Sequence, residues 1–137
     1  MIDLLKLRVT IQGREIQEDL AEQAKIVSDL DGVNEAIASH PGRFAWWSTL
    51  ETLAAKEEQD AKDALDACEA VLLTQLGGEK HAKVTELKAE MRTAPEWKQL
   101  HAAWRRAQDQ HALIRVGRKT VEERKDALRE LSANFRE

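Results

Sequence analysis

The last part of the chain, residues 97–137, limits the possible folds more than any other segment. Its apolar side chains recur at intervals of three, four and seven residues, which places them on one stripe of a helix. An unbroken helix of this length would run roughly 60 Å, whereas a compact chain of this size has a radius of gyration of only about 14 Å. The stripe must therefore contact a folded-back neighbour, a second copy of the chain, or both.

We therefore predict self-assembly through this stripe. The side chains expected at the oligomer interface are Trp97, Leu100, Trp104, Ile114, Val121, Leu128, Leu131 and Phe135. The heptad positions are too irregular to predict how many subunits assemble.

Helix-breaking residues are scarce, with only six Gly and two Pro in 137 residues. The sequence therefore favours an all-α fold of about four helices in one domain, closing into a helical-bundle oligomer. We divide residues 1–137 into an N-terminal helical segment (1–40), a long helix followed by a short one (44–92), and the C-terminal oligomerisation helix (94–137).

The N-terminal residues fit more than one kind of secondary structure. Apolar residues from Leu4 to Ile11 alternate as in a strand but also fit a helical turn, and Gly13 ends this segment. From Glu15 to about Ser39 the spacing favours a helix, and the sequence His40-Pro41-Gly42 then predicts a turn.

Glycines also mark the expected helix boundaries further along the chain. Gly77 and Gly78 should end the second helix, as C-cap glycines do.

The start of the last helix has its own signal. Thr93 and Glu96 fit a capping box with Pro95 in the first turn of that helix. Gly117 leaves two readings open, one unbroken helix or two helices with a bend near residues 117–120.

Charge is distributed unevenly along the chain. Residues 97–137 contain ten Lys/Arg against six Asp/Glu, whereas residues 1–96 contain eleven against nineteen. A basic C-terminal segment attracts either a polyanion or the acidic surface of a neighbouring subunit. Cys68, the single cysteine, fits a reducing compartment, and no apolar run approaches the roughly 20 residues that cross a bilayer. We expect a soluble cytoplasmic protein without membrane association.

Few residues suggest catalysis. The chain has no Gly-rich phosphate loop, no nucleophile elbow and no CxxC pair. None of the four histidines has the i, i+4 partner typical of a helical zinc site. We therefore expect no enzyme activity, no metal and no cofactor.

Nucleic-acid binding is better supported, because cations cluster late in the chain. Arg118, Lys125 and Arg129 share one helix face, and repetition of that face in an oligomer would form a salt-sensitive polyanion track. The competing interpretation pairs these cations with nearby carboxylates or with another subunit. The candidate DNA-binding residues are Lys56, Lys62, Arg105, Arg106, Arg115, Arg118, Lys119, Arg124, Lys125 and Arg129.

The four tryptophans are either core anchors or platforms for unpaired bases. Trp47, Trp97 and Trp104 lie on apolar stripes, which favours buried positions. Trp46 is the one expected to be exposed, because its neighbour takes the buried position.

Four segments resemble the UvsY-like recombination mediator family of bacteriophages. They are Trp47–Leu50 (WSTL), Leu72–Gly78 (LLTQLGG), Val84–Trp97 (VTELKAEMRTAPEW) and Glu123–Arg136 (ERKDALRELSANFR), and the resemblance covers residues 44–137. It implies an all-α ring-like oligomer, formed through the C-terminal helices, that binds single-stranded DNA. It also implies two protein partners, a recombinase that is loaded onto DNA and the single-strand-binding protein that is displaced.

One departure from the family concerns the late part of the long second helix. Residues 63–79 contain no Lys or Arg, so DNA contact is expected at Lys56, Lys62, Lys80, Lys83 or the C-terminal cations. The predicted function is a non-enzymatic mediator of DNA recombination and repair, in the host cytoplasm if the chain is phage-encoded. The alternative is a structural coiled-coil scaffold or adaptor with no DNA role.

Overall fold

A computed structural model describes residues 6–20, 30–79 and 83–135. These residues form, in order, two strands and three helices. The elements are β1 (Lys6–Ile11), β2 (Arg14–Asp19), α1 (Leu30–Glu79), α2 (Val84–Met91) and α3 (Pro95–Phe135). The described part is thus mostly helical, as expected, but it is not all-α and has three helices rather than about four.

The two strands form an antiparallel hairpin in which Ile11 pairs with Arg14. Gln12 and Gly13 make the two-residue turn, and both have positive φ, 51° and 75°. This is the backbone of a type I′ turn, which matches the twist of the flanking strands. The strand interpretation is therefore confirmed over residues 6–11, whereas the helix predicted from Glu15 is wrong over residues 15–19. Residues 21–29, also expected to be helical, lie outside the described residues.

Alternation of side chains explains why β1 forms a strand. Leu7, Val9 and Ile11 are buried, while Lys6, Arg8 and Thr10 between them are exposed. A period of two presents one apolar face to a core and one polar face to water. The hairpin therefore acts as an apolar cover for the helices beneath it.

The turn predicted at His40-Pro41-Gly42 is wrong, because α1 continues through Pro41. A proline inside a helix removes one backbone hydrogen bond and costs about 3 kcal/mol. Buried residues on both sides offset that cost: Val33 and Ala36 precede the proline, and Trp47 and Leu50 follow it. Tertiary packing thus overrides the local breaker signal.

The glycines further along the chain also lie in helices. Gly77 and Gly78, expected to end the second helix, belong to α1, which runs to Glu79. Gly117 lies within α3, which is one continuous helix, so the reading with two separate helices is wrong. Pro95 is the first residue of α3, as predicted. The Thr93 hydroxyl, however, donates to the Glu90 carbonyl oxygen at 2.5 Å, so it closes the end of α2 rather than capping α3.

The chain divides into two compact units. Unit 1 comprises residues 1–54 and 110–137, and unit 2 comprises residues 55–109. The first part of α1 belongs to unit 1 and its second part to unit 2. The first part of α3 belongs to unit 2 and its second part to unit 1. The candidate residues for function fall in both units.

The main core of unit 1 lies between the hairpin and the two helices. Its buried members are Leu7, Val9, Ile11, Trp47, Leu50, Ala54, Ile114 and Val121. Gly117 allows a very close approach, because a Cβ there would stand 2.8 Å from Cε3 of Trp47 and nearer still to Cζ3 and Cη2. A second buried cluster joins Val33 and Ala36 to Leu128.

Candidate nucleic-acid interface

Five basic side chains of unit 1 gather where α1 and α3 pack together. We call this group the basic cluster: His40, Arg43, Arg124, Lys125 and Arg129. His40 and Arg43 lie three residues apart on α1, and Lys125 and Arg129 lie four apart on α3, so each pair shares one helix face. The contact of Val33 and Ala36 with Leu128 holds these faces together.

Electrostatics within the basic cluster act on the imidazole of His40. Partial burial lowers the pKa of His40, and the charges of Lys125, Arg129, Arg124 and Arg43 lower it further, in that order. All four of these charged side chains are cations, so a proton on His40 adds to an existing excess of positive charge. Such a group favours an anionic ligand, because a phosphate would relieve the mutual repulsion.

A small apolar cavity lies within the basic cluster. It has a volume of about 140 Å³ and is lined by Ile37, His40, Pro41, Lys125, Leu128 and Arg129. Its lining is mostly apolar and includes two cations, Lys125 and Arg129. Nearby, Nη1 of Arg43 is buried and finds no hydrogen-bond acceptor among the residues that the structure describes. Buried polar atoms rarely lack a partner, so this nitrogen is an exception within the described residues.

Two predicted DNA-binding residues are engaged within the chain. Arg118 pairs with Glu51 and also with Glu122, the latter at 3.2 Å. Arg115 lies 3.7 Å from Glu51 and 3.4 Å from His111. These carboxylates offset the charge of both guanidinium groups. The competing interpretation of the cations includes Glu122 as a partner but not Glu51, which comes from α1.

The remaining cations differ in exposure and environment. Lys119 of unit 1 is exposed, as are Lys56, Lys83, Arg105 and Arg106 of unit 2. Lys62 pairs with Asp66 at 3.1 Å and lies 4.7 Å from the centroid of the Trp104 ring. Lys80 lies outside the described residues. In unit 1, therefore, the predicted residues Arg124, Lys125 and Arg129 come together, and His40 and Arg43 join them.

Sequence reasoning missed His40 and Arg43 because Pro41 suggested a turn. The apolar spacing nevertheless continues across the proline, from Ile37 through Phe44 to Trp47. That continuity was the signal for an unbroken helix, which places His40 and Arg43 on the face that meets α3.

The predicted interface stripe is covered to different degrees by the chain itself. Ile114, Val121 and Leu128 are fully buried in the two clusters of unit 1, and Leu131 is half-buried against the second cluster. This part of the stripe therefore packs against apolar side chains of its own chain. Contact of these residues with a second copy stays a prediction.

The stripe residues of unit 2 pack less completely. Trp97, Leu100 and Trp104 are half-buried. The Trp97 indole donates to Oε1 of Glu69 at 2.9 Å and stacks on His101, with 4.6 Å between ring centroids. Phe135 is the last residue of α3, and its side chain lies outside the described part of the chain.

Trp46 and Trp47 confirm the expected division of roles between neighbours. Trp47 is 1% exposed and Trp46 is 41% exposed. Their rings meet edge to face, with centroids 5.1 Å apart and an interplanar angle of 89°. The buried indole thus supports the exposed one at a fixed angle.

Two other kinds of feature are absent from the described residues. Across 6–20, 30–79 and 83–135, no three His, Cys, Asp or Glu side chains gather in a metal-binding arrangement. No helix within these ranges combines the length and apolar character required to span a bilayer.

Comparisons with known proteins found no significant match to this chain. No protein-family model matches the chain, and no curated protein or solved structure matches it significantly.

Proposed function

We propose that the chain is a non-enzymatic protein that binds nucleic acid through its basic cluster. The observation that carries this proposal is the gathering of Arg43, Arg124, Lys125 and Arg129 around His40, where α1 packs on α3 through Val33, Ala36 and Leu128. Two helices of one compact unit supply these cations, so the group is held by the fold. Phosphates along a nucleic-acid backbone are the polyanion that such a surface suits.

Within that class, we propose a recombination mediator that holds single-stranded DNA and assists the loading of a recombinase. The resemblance of residues 44–137 to UvsY-like mediators supports this assignment, and so do the cations in the C-terminal segment. The partners would be the recombinase and the single-strand-binding protein. The chain itself would act by binding and assembly, without catalysing a reaction.

The mediator proposal includes a homo-oligomer formed through α3. Since Ile114, Val121 and Leu128 are buried within their own chain, we propose that copies meet on the rest of this helix. Leu113 and Val116 lie on α3 and are 44% and 50% exposed. Light scattering at tens of micromolar should report an oligomer that the double variant L113E/V116E weakens, whereas a wild-type monomer would overturn this part of the proposal.

Titration of labelled oligo-dT, followed by fluorescence anisotropy, tests the DNA proposal. With about four phosphate contacts, affinity should fall roughly 50-fold between 50 and 200 mM salt. The double variant K125Q/R129Q should weaken binding and reduce the slope of log K against log salt by about 1.4. Undetectable binding by the wild-type protein at about 50 mM salt would refute the proposal.

Two further double variants show where the DNA lies. K88Q/R92Q removes the same charge from exposed positions of unit 2 and serves as the matched control, for which we expect little change. R105Q/R106Q tests the predicted cations of unit 2. A control that weakens binding as much as K125Q/R129Q would mean that net charge, rather than the basic cluster, determines affinity.

The second candidate function is a structural scaffold or adaptor without a DNA role. The ion pairs of Arg115 and Arg118 with Glu51, and of Lys62 with Asp66, favour it, because these cations serve contacts within the fold. A scaffold would keep the oligomer and show no salt-dependent affinity for oligo-dT. The same titration therefore separates the two functions.

A further inference from the structure

Trp46 presents an aromatic surface that the core of unit 1 does not use. Its indole is 41% exposed on α1, although the adjacent Trp47 is buried against Gly117. The edge-to-face contact with Trp47 supports the ring from one side. A large aromatic side chain that is held in place and open to solvent is well suited to stacking, since little conformational freedom remains to be lost.

Two depressions adjoin this indole. One has a volume of about 280 Å³ and includes Glu18, Gly42 and Arg43 in its lining. The other has a volume of about 310 Å³ and is lined by turn and strand residues of the hairpin and by later residues of α1. Trp46 lines both, so a flat ligand has access to the indole from the adjoining space.

The charges beside the indole include cations that suit a phosphate backbone. Arg43 lines the first depression and belongs to the basic cluster, and Arg14 lines the second. Glu18 lines the first depression and Glu15 the second, but Glu15 is bound by Arg8 at 3.1 Å. Nη1 of Arg43 is buried without a hydrogen-bond acceptor among the described residues. Arg43 thus belongs to the basic cluster and also lines the first depression together with Trp46.

We propose that Trp46 is a stacking platform for an unpaired nucleobase whose backbone phosphates lie on the basic cluster. This inference rests on the proposed single-stranded DNA-binding function and adds the residue that contacts the bases. Bases within a duplex already stack on their neighbours, so a duplex offers no free ring face to the indole. Base–aromatic stacking is tolerant of sequence, because every base has a π-face.

The decisive experiment compares W46A and W46F with the wild-type protein on two probes of equal length. One probe is oligo-dT, and the other is an abasic oligonucleotide with the same phosphates but no bases. We expect W46A to lose roughly 5- to 150-fold in affinity for oligo-dT, the range found for loss of one stacked base. Affinity for the abasic probe and the salt dependence should stay unchanged, and W46F should retain most of the affinity.

Fluorescence supplies a second readout, and V71A supplies a matched control. Oligo-dT should quench the emission of the wild-type protein more than that of W46F, whereas the abasic probe should quench neither. Val71 is an apolar residue of α1 that is 57% exposed in unit 2, so V71A should bind both probes as the wild-type protein does.

Three results would overturn the inference, and they are distinguishable. If W46A binds both probes as the wild-type protein does, DNA binding stands and stacking on Trp46 is wrong. If W46A weakens both probes equally and lowers the oligomer mass, Trp46 contacts another protein chain instead. If the wild-type protein binds neither probe at low salt, the proposed function itself fails.

Discussion

The same two helices line both compact units, yet the units differ in what fills the space between the helices. Unit 1 buries large apolar side chains, including Trp47, Ile114 and Leu128, and the hairpin adds a third apolar layer over part of them. Among the residues that the structure describes, unit 2 has fewer buried apolar side chains, namely Leu65, Leu87, Met91 and Ala107. Polar and aromatic contacts supplement them there, such as the hydrogen bond of Trp97 to Glu69 and the position of Lys62 over Trp104.

This difference shows what a pair of helices needs in order to bury bulky side chains. Two packed helices leave much of their surface in contact with water, and a third element is required to enclose residues as large as tryptophan. The hairpin supplies that element in unit 1. In unit 2 the short α2 contributes only Leu87 and Met91 to the buried set. We therefore expect substitutions in unit 1 to cost more stability than comparable ones in unit 2.

The largest expected effect is that of W47A. Removing a fully buried tryptophan should reduce the free energy of unfolding by about 3–5 kcal/mol, because it leaves a cavity beneath the hairpin. W97A is the comparison from unit 2, where the indole is half-buried and hydrogen-bonded, and it should cost less. Urea denaturation followed by circular dichroism measures both, and an equal cost for the two variants would contradict the comparison.

The next largest effect is a difference in stability between alanine substitutions at two glycines of unit 1, one on each helix. G117A should destabilise by about 1–3 kcal/mol, because its new Cβ overlaps the Trp47 ring. G42A should instead stabilise by up to about 1 kcal/mol, because Gly42 lies inside α1 and a Cβ added there would meet no atom within 4 Å. Thermal and urea unfolding of both variants test this pair.

The glycine experiment tests whether the two substitutions change the free energy of unfolding in opposite directions. If G117A also stabilised the protein, α1 and α3 would not approach each other closely at Trp47. The two substitutions gain the same helix propensity, so their difference isolates the steric cost at position 117.

The sequence predicted part of this arrangement, and the missed parts have specific physical causes. The stripe on α3 and the buried residues Trp47 and Leu50 follow from helical spacing, which depends on local periodicity. Residues 14–19 were missed because Ile16 and Leu20, four residues apart, fit a helix as well as a strand. Their pairing with β1 is a contact between segments, and the Gln12-Gly13 turn is a weaker signal than Asn-Gly.

The candidate site was predicted from only one of its two helices. Arg124, Lys125 and Arg129 were recognised because they cluster in the sequence. His40 and Arg43 join them through the packing of α1 on α3, which depends on α1 continuing through Pro41. Local rules favour a break at proline, and only the burial on both sides of it makes the continuous helix stable.

The smallest effect we expect is a dependence of stability on pH. It arises in unit 1, because His40 belongs to that unit. The folded protein lowers the pKa of His40, through partial burial first and then through Lys125, Arg129, Arg124 and Arg43. The unfolded chain therefore binds a proton more readily than the folded one as pH falls below the ordinary histidine pKa of about 6.5. Stability contributed by neutral His40 is fully present above that pH and is lost as pH falls from there towards the lowered pKa.

Urea denaturation at pH 7.5 and 5.5 should accordingly show a smaller acid-induced loss of stability for H40Q than for the wild-type protein. K125Q should reduce the loss partly, because burial remains after one cation is removed. A bound phosphate backbone would raise the pKa of His40, so affinity for oligo-dT should increase between pH 7.5 and 5.5 in the wild-type protein and less in H40Q. If H40Q and the wild-type protein lost equal stability on acidification, burial and the cations of the basic cluster would not lower the pKa of His40.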